Sequence, residues 1–294
     1  MACKFDVMVL TYGDHPAFIR RCLQSIADNV TRDTFGDDRI DGVRRVHVAM
    51  NDPAPSTRRI VSEFEDRLYG VVGYPVVISH QAFAVADGQP VNVGKYPMMR
   101  YLLDDGGHAF SGSSAERVMW FDDDSFIRPR SADLVSFWLQ AAAASAFHDV
   151  NGYPYSTQTT EAWREAVKRQ SWYAGQEPLA YVKFITGGFW IAPRQFLRRY
   201  DYPFPDLFHN GGDVILGELV RQHNGTFGTF RHEHVGINAD LAGAESKAKR
   251  RGLSTKRYLE PGYRDHARRD VFFRATSYGK EIDGPPIYDC PCHA

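Results

Sequence analysis

The sequence predicts an α/β protein whose mostly parallel central sheet is covered by helices on both faces. Two observations predict it. Short runs that are apolar throughout alternate with longer stretches whose apolar residues recur at helical spacing, the pattern of strands buried on both sides. Polar residues gather at the carboxyl ends of those runs, where ligands bind in open α/β sheets. A length of 294 residues allows one large domain with additions, and 43% hydrophobic against 24% charged residues is a globular composition, which excludes disordered and fibrous classes.

Residues 5–12 (FDVMVLTY) read as the first strand. Asp14 is placed to cap a helix with Pro16 in its first turn and Phe18, Ile19, Leu23 and Ile26 along one face. Residues 45–50 (RVHVAM) are a second strand, followed by a helix capped by Ser56 and carrying Ile60, Val61, Phe64 and Leu68. Residues 76–79 are a third strand, 93–104 a helix, 117–121 (RVMWF) a fourth strand and 131–147 a helix. The polar residues at the strand ends are Thr11, Tyr12 and Asp14, then Asn51 and Asp52, then His80, then Asp122, Asp123 and Asp124. The second half is less regular: strands at 181–185 and 189–192 flank Gly187 and Gly188, a helix covers 214–222, and a strand covers 226–234.

No stretch approaches 18 apolar residues, so no membrane-spanning helix is expected. The first 13 residues carry one lysine and lack the cleavage pattern of a signal peptide. Four cysteines do not make a disulfide framework, and a cytoplasmic location is expected, a bacterial host cytoplasm if the chain is phage-encoded. The net charge of -1 is uneven: residues 244–274 hold ten basic residues and four acids, net +6, so the remainder is net -7. Such asymmetry marks a polyanion contact or a solvated surface.

The segment from Arg117 to Pro129 (RVMWFDDDSFIRP) is the most informative. Three carboxylates at the mouth of a buried strand repel one another and favour a cation, and hard oxygen donors suit Mg2+ or Mn2+. Because Mg2+ is usually held by one or two carboxylates plus substrate phosphates, the site implies a phosphorylated ligand. An apolar strand followed by Asp122-x-Asp124 and Pro129 resembles the signature of the GT-A glycosyltransferases, family-two-like. The opening strand with its polar turn is similar to the donor-nucleotide end of that fold. Asn92-x-Gly94, ahead of the helix begun by Lys95, resembles the segment under the donor site.

The resemblance covers about residues 5 to 236. It implies the GT-A (nucleotide-diphospho-sugar transferase) fold, a nucleotide-sugar donor, UDP-linked at the family level, and Mn2+ or Mg2+. It places Thr11, Tyr12 and Asp14 along the nucleoside, Asn51 or Asp52 at the base or ribose, and Lys95, Asp122 and Asp123 at the donor. Asp124 would bind the metal, with Asp122 at the ribose or the metal. Residues 1–130 would be the nucleotide-sugar half, 131–238 the acceptor half, and 239–294 a basic C-terminal extension lying over the first domain.

Transfer to a hydroxyl also needs a base near the acceptor oxygen. In His209-Asn-Gly-Gly-Asp213, Asp213 stands at a helix start where the family usually has an acidic pair, so it is the candidate base, with helix capping as the plainer role. On a strand, His232 and His234 would share one face, and the resemblance implies that one of them reaches the metal, His234 preferred. Gly187, Gly188 and Trp190 resemble the acceptor-side lining, where Trp190 would stack on a sugar or base or else belong to the core. Gln195-x-x-Arg198 lacks the Trp of processive synthases and precedes Asp213, the wrong order for that class. Cys290-Pro-Cys292-His293 lacks zinc-ligand spacing.

The basic stretch, with Arg250 and Arg251 and interleaved Tyr258 and Tyr263, suits a phosphate backbone with exposed bases. It points to a 5-hydroxymethylated pyrimidine in DNA as acceptor, as in some bacteriophage enzymes; a glycan, a lipid-linked saccharide and a protein hydroxyl compete. A sugar-phosphate nucleotidyltransferase would want a Gly-rich loop after the first strand, and residues 11–16 hold one glycine. A non-catalytic nucleotide-sugar or nucleic-acid binding module and a hydrolase using the same carboxylates are the other rivals. The oligomeric state is not legible.

Overall fold

The computed structural model describes residues 2–13, 15–83, 85–86, 89–90, 95–103, 115–129, 136–203, 212–230, 233–237, 272–277, 280–281 and 288–289. The strands are β1 (Lys4–Gly13), β2 (Gly42–Pro53), β3 (Val77–Phe83), the short pair β4 (Val85–Ala86) and β5 (Gln89–Pro90), β6 (Arg117–Asp122), β7 (Phe126–Ile127), β8 (Val150–Gln158), β9 (Tyr181–Pro193), β10 (Phe227–Thr229), β11 (Val235–Gly236), β12 (Phe272–Ser277), β13 (Lys280–Glu281) and β14 (Tyr288–Asp289). The helices are α1 (Pro16–Asp28), α2 (Arg32–Gly36), α3 (Pro55–Val72), α4 (Lys95–Leu103), α5 (Phe137–Ser145), α6 (Glu161–Lys168), α7 (Arg194–Arg199) and α8 (Gly212–Gln222). Among the described residues no helix is long and apolar enough to cross a membrane.

The main sheet runs β10-β8-β9-β6-β1-β2-β3-β12-β13, with β14 on β12. Its centre, β6-β1-β2-β3, is parallel, as the apolar runs predict. β9 enters antiparallel between β6 and β8. Alternation along the central strands builds two cores. Phe5, Val7 and Val9 with Met119 and Phe121 pack under α1, α3 and α5. Met8, Leu10, Val118 and Trp120 pack with α4 and α8. Both faces are covered, which is why these strands read as continuous apolar runs.

Several expectations change. The helix after β2 begins at Pro55 with Ala54 at the N-cap, so Ser56 lies inside its first turn. The strands foreseen at 181–185 and 189–192 are one continuous β9. The strand foreseen over 226–234 stops at Thr229, and residues 233–234 form a turn. Just beyond Thr229, Phe230 packs against Phe137 and Phe189, its N–H donating to the Gly152 carbonyl at 2.9 Å. The basic extension is not only a surface cover. Its Phe272–Ser277 segment forms β12 and pairs antiparallel with β3, from Phe272 opposite Phe83 to Thr276 opposite Ser79. Helix 131–147 is described as Phe137–Ser145, since residues 130–135 lie outside the described residues.

Two polar features are sealed in the interior. Asp6 accepts the Arg194 Nη2–H at 2.6 Å and the Ala115 N–H at 2.9 Å, tying β1 to the end of β9. His47 and His80 stack between β2 and β3, with His47 Nδ1 3.1 Å from His80 Nε2. His80 therefore lies inside the fold instead of at the ligand end. Burial, with Arg194 and Arg45 nearby, pushes His47 down to about 3, and burial with the adjoining His47 pushes His80 well below the usual histidine value.

These folded-state values lie below the unfolded value of about 6.5. Below that pH the unfolded chain binds protons that the folded chain refuses. The pair's contribution is therefore fully present above about pH 6.5 and falls as the medium is acidified, by about 1.4 kcal/mol per pH unit for each histidine kept neutral. Urea midpoints at about pH 7.5 and pH 5 should show this slope, and the double variant H47Q/H80Q should lose most of it. An unchanged slope in that variant would show that the pair is not its source.

Candidate active site

The site grows from the end of β6. Side chains alternate along a strand, so Trp120 and Asp122 share one side while Phe121 and Asp123 take the other. Asp122 Oδ1 accepts the Trp120 indole N–H at 2.9 Å. Its Oδ2 accepts the Lys95 ammonium at 2.7 Å. The Asp123 N–H continues the ladder onto the Leu10 carbonyl at 3.1 Å, which turns its side chain toward β1. There the Asp123 carboxylate, 0% exposed, accepts the Thr11 hydroxyl at 2.8 Å. The Ser125 N–H closes the turn on the Asp122 carbonyl at 2.9 Å, leaving Asp124 half-buried at the bend.

β9 supplies the opposite wall through a bulge. Gly152 of β8 faces Trp190 and Pro154 faces Ile185, so the single residue Tyr153 opposes the four residues 186–189. The extra length brings Gly187 out of the ladder beside Asp122. Its carbonyl accepts the Lys95 ammonium at 2.7 Å, and its N–H donates to Asp213 Oδ2 at 3.2 Å. A side chain there would meet Lys95 Nζ at 3.1 Å, a tight contact that would push on the ammonium, and Asp213 Oδ2 at 3.6 Å. The Gly188 carbonyl accepts the Ser125 hydroxyl at 2.7 Å, pinning the bulge to the aspartate turn.

Asp213 stands in the first turn of α8. Its Oδ1 accepts the Val214 N–H at 3.0 Å; because α8 begins at Gly212, Asp213 lies inside the helix and is not the expected N-cap. Each carboxylate oxygen holds one backbone N–H and keeps a further lone pair for a ligand. One ammonium thus lies between Asp122 and the Gly187 carbonyl, and the same glycine's N–H holds the second carboxylate. The ammonium also sits 6.0 Å from the Trp120 ring centroid.

Four residues expected from the sequence converge: Lys95, Asp122, Gly187 and Asp213. Others take different places. Thr11 and Asp123 bond to each other beneath the site, so neither side chain is free to line a nucleoside or a donor. Asn51 is 2% exposed and likewise lies within the protein, whereas Tyr12 is half-buried with its ring edge-on to His15. Trp190 is 1% exposed and stacks on Trp120 at 5.8 Å, so it belongs to the core and has no face for an acceptor. His234 follows Glu233 in a turn, its ring 5.0 Å from that of Phe230. Asp14, His232, Arg250 and Arg251 lie outside the described residues, as does the side chain of Asp52.

Sequence reasoning missed Trp120, whose signal was available: an indole donor two strand residues before a carboxylate. It also missed Ser125, Tyr96 and Tyr202, whose partners are distant in the chain.

Asp122 and Asp124 offer the hard oxygens that Mg2+ or Mn2+ takes. Among the described residues no three His, Cys, Asp or Glu side chains converge as a metal-holding group, and both oxygens of Asp122 already accept N–H bonds. The donor set fits a divalent ion completed by ligand oxygens and does not fit one caged by protein alone.

No protein-family model and no curated protein matches the sequence. Solved structures do resemble it. GalNAc-T7, solved with UDP, GalNAc and Mn2+, matches with a TM-score of 0.50 and 10% identity over 80% of this chain and 44% of that one. TarS residues 1–349 from S. aureus, in complex with UDP-GlcNAc, gives 0.47 and 15% over 83% and 61%. The mannosyltransferase PcManGT from Pyrobaculum calidifontis, in complex with GDP-Man and Mn2+, gives 0.45 and 14% over 79% and 56%. The chain spans between 44% and 61% of the length of these three structures. At such identity the likeness to GalNAc-T7 is one of fold: the chain has the α/β architecture of the GT-A glycosyltransferases, with a mostly parallel central sheet.

Proposed function

We propose that the chain is a glycosyltransferase that moves a sugar from a nucleotide-diphosphate donor, UDP-linked in the first instance, to an acceptor hydroxyl. The observation that carries this reading is the convergence of Lys95, Asp122, Gly187 and Asp213 where β6 ends, with a cation held by the carbonyl and a carboxylate by the N–H of one residue. A binding module has no need of a second carboxylate fixed beside the first.

The chemistry follows from these groups. Asp213 accepts the proton of the acceptor hydroxyl as the new bond forms between its oxygen and the sugar carbon. The bond from that carbon to the diphosphate breaks, and the nucleoside diphosphate leaves with the electron pair. Lys95 faces the charge that gathers there, in a position already organised before the donor arrives. Asp124 and Asp122 would hold Mn2+ or Mg2+ together with diphosphate oxygens, and such an ion supplies further neutralisation of the leaving group. Tyr12 stands at the nucleoside side, while Thr11, Asn51 and Asp123 support the strand ends from beneath.

For the acceptor, the +6 stretch at 244–274 supports DNA carrying a 5-hydroxymethylated pyrimidine. Polyanion binding through such a stretch releases counterions and weakens as salt rises.

Transfer assays with nucleotide sugars and Mn2+ test the reaction. D213A should lower kcat by about two to four orders of magnitude, the range for losing a general base. Donor binding, read by thermal shift, should persist in it. Undiminished kcat in D213A would overturn the assignment. Chelation should abolish transfer and added Mn2+ restore it, with D124A resisting restoration; full turnover in chelator would remove the metal from the proposal. Transfer to duplex DNA containing 5-hydroxymethylcytosine should fall steeply with salt, and R250A/R251A should flatten that dependence by about two counterions at most. A glycan or protein accepting the sugar while this DNA does not would sink the acceptor assignment.

A further inference from the structure

The helix that presents Asp213 begins against two phenols. Gly212 is the first residue of α8, and its N–H is one of the four that a helix N-terminus leaves without an intrahelical partner. The Tyr202 hydroxyl donates to the Gly212 carbonyl at 3.3 Å. The Tyr96 phenol packs directly against the Gly212 α-carbon, so both phenols meet the same residue.

Packing leaves the peptide no alternative position. A side-chain carbon on Gly212 would lie 2.2 Å from Tyr96 Cζ and 2.4 Å from its Oη. Both tyrosines are buried. Burial, reinforced by Tyr202 and by the carboxylates of Asp213 and Asp122, holds the Tyr96 hydroxyl well above its ordinary value. Burial and Asp213 do the same for Tyr202, so both remain donors. Tyr96 directly follows Lys95 on α4. The helix that aims the ammonium at Asp122 therefore also holds the peptide that aims Asp213.

We propose that Tyr96 and Tyr202 act as one positioning unit that fixes the start of α8, and through it the Asp213 carboxylate, relative to Lys95. This rests on the glycosyltransferase reading above. Neither phenol touches the reacting atoms; they work through the Gly212 peptide.

The test is steady-state transfer by Y96F, Y202F and Y96F/Y202F, each of which keeps the ring that fills the core and removes only hydroxyls. Each single variant should lose about tenfold in kcat, with donor affinity and donor KM within about twofold of the unaltered chain. The double variant should be no worse than the poorer single one, because residues that act as a unit do not add. Y101F, which removes another buried hydroxyl from α4 away from the site, should leave kcat unchanged. Unchanged kcat in Y96F, losses that multiply in the double variant, or a loss in KM alone would overturn the proposal. So would a matching loss in Y101F, which would mark a general effect of loosening α4. If the unaltered chain transfers no sugar from any donor, the underlying reading fails and this inference with it. If it does, the tyrosine series decides the inference alone.

Discussion

The site depends on where the Lys95 ammonium is held. It is the meeting point of α4, β6 and β9: one bond to Asp122, one to the Gly187 carbonyl, both 2.7 Å. Lysine and aspartate here are largely screened from water, with side-chain exposures of 12% and 25%. Removing either partner leaves a charge with its desolvation uncompensated, which is why such pairs are costly to break even when they add little net stability. The pair therefore acts less as a fastener than as a gauge of distance. It sets how near the β9 bulge can come to the aspartate turn, and with the bulge it sets Asp213.

That arrangement needs a sheet with one antiparallel intruder. The parallel centre delivers β1, β2 and β6 with their carboxyl ends together, and strand-end side chains come with them. β9 runs the other way, so it must pass the site in mid-strand. An unbroken ladder would have placed only alternate side chains there. The extra residues opposite Tyr153 break the ladder and turn a stretch of backbone, N–H and carbonyl both, into part of the site. Gly187 contributes two polar groups and no side chain, and Gly188 anchors the same loop to Ser125.

How far the residues could be read in advance follows from how local their determinants are. The central strands were legible because apolar runs between amphipathic helices admit few other arrangements. Asp122 and Asp213 were legible because each stands at a strand or helix terminus in its own segment. Asp123 was not separable from its neighbours by composition. Only the two-residue period of β6, carried one step past the last strand residue, sends it to Thr11 and away from the side of Asp122. Trp190 was ambiguous for the same reason, since its face is chosen by Trp120 across the β6–β9 ladder and nothing in its own segment says so. The end of β10 at Thr229 was not legible either, since Phe230 beyond it packs on Phe137 and Phe189, segments far apart in the chain. The two phenols at the start of α8 join residues 96, 202 and 212 and leave no trace in any local pattern.

Charge balance links the geometry to the proposed chemistry. Asp122 holds one ammonium, Asp213 stands across Gly187 from it, and Asp123 and Asp124 follow Asp122 in the chain. A diphosphate brought into this surrounding on its own would meet more repulsion than Lys95 can offset, because a site poor in water screens charge weakly. On the proposed reading, a bare diphosphate would therefore be a poor ligand for the site and one accompanied by a divalent cation a better one. The donor and the ion are expected to bind as partners, each raising the affinity for the other, since the carboxylates that repel the phosphates attract the ion. Asp122 already accepts one N–H on each oxygen, from Trp120 and Lys95, and like Asp213 keeps a further lone pair on each. The same logic explains the need for Lys95 alongside a metal. The ammonium is fixed by protein contacts before the donor arrives, so it keeps Asp122 and Asp213 from driving each other apart while the site waits.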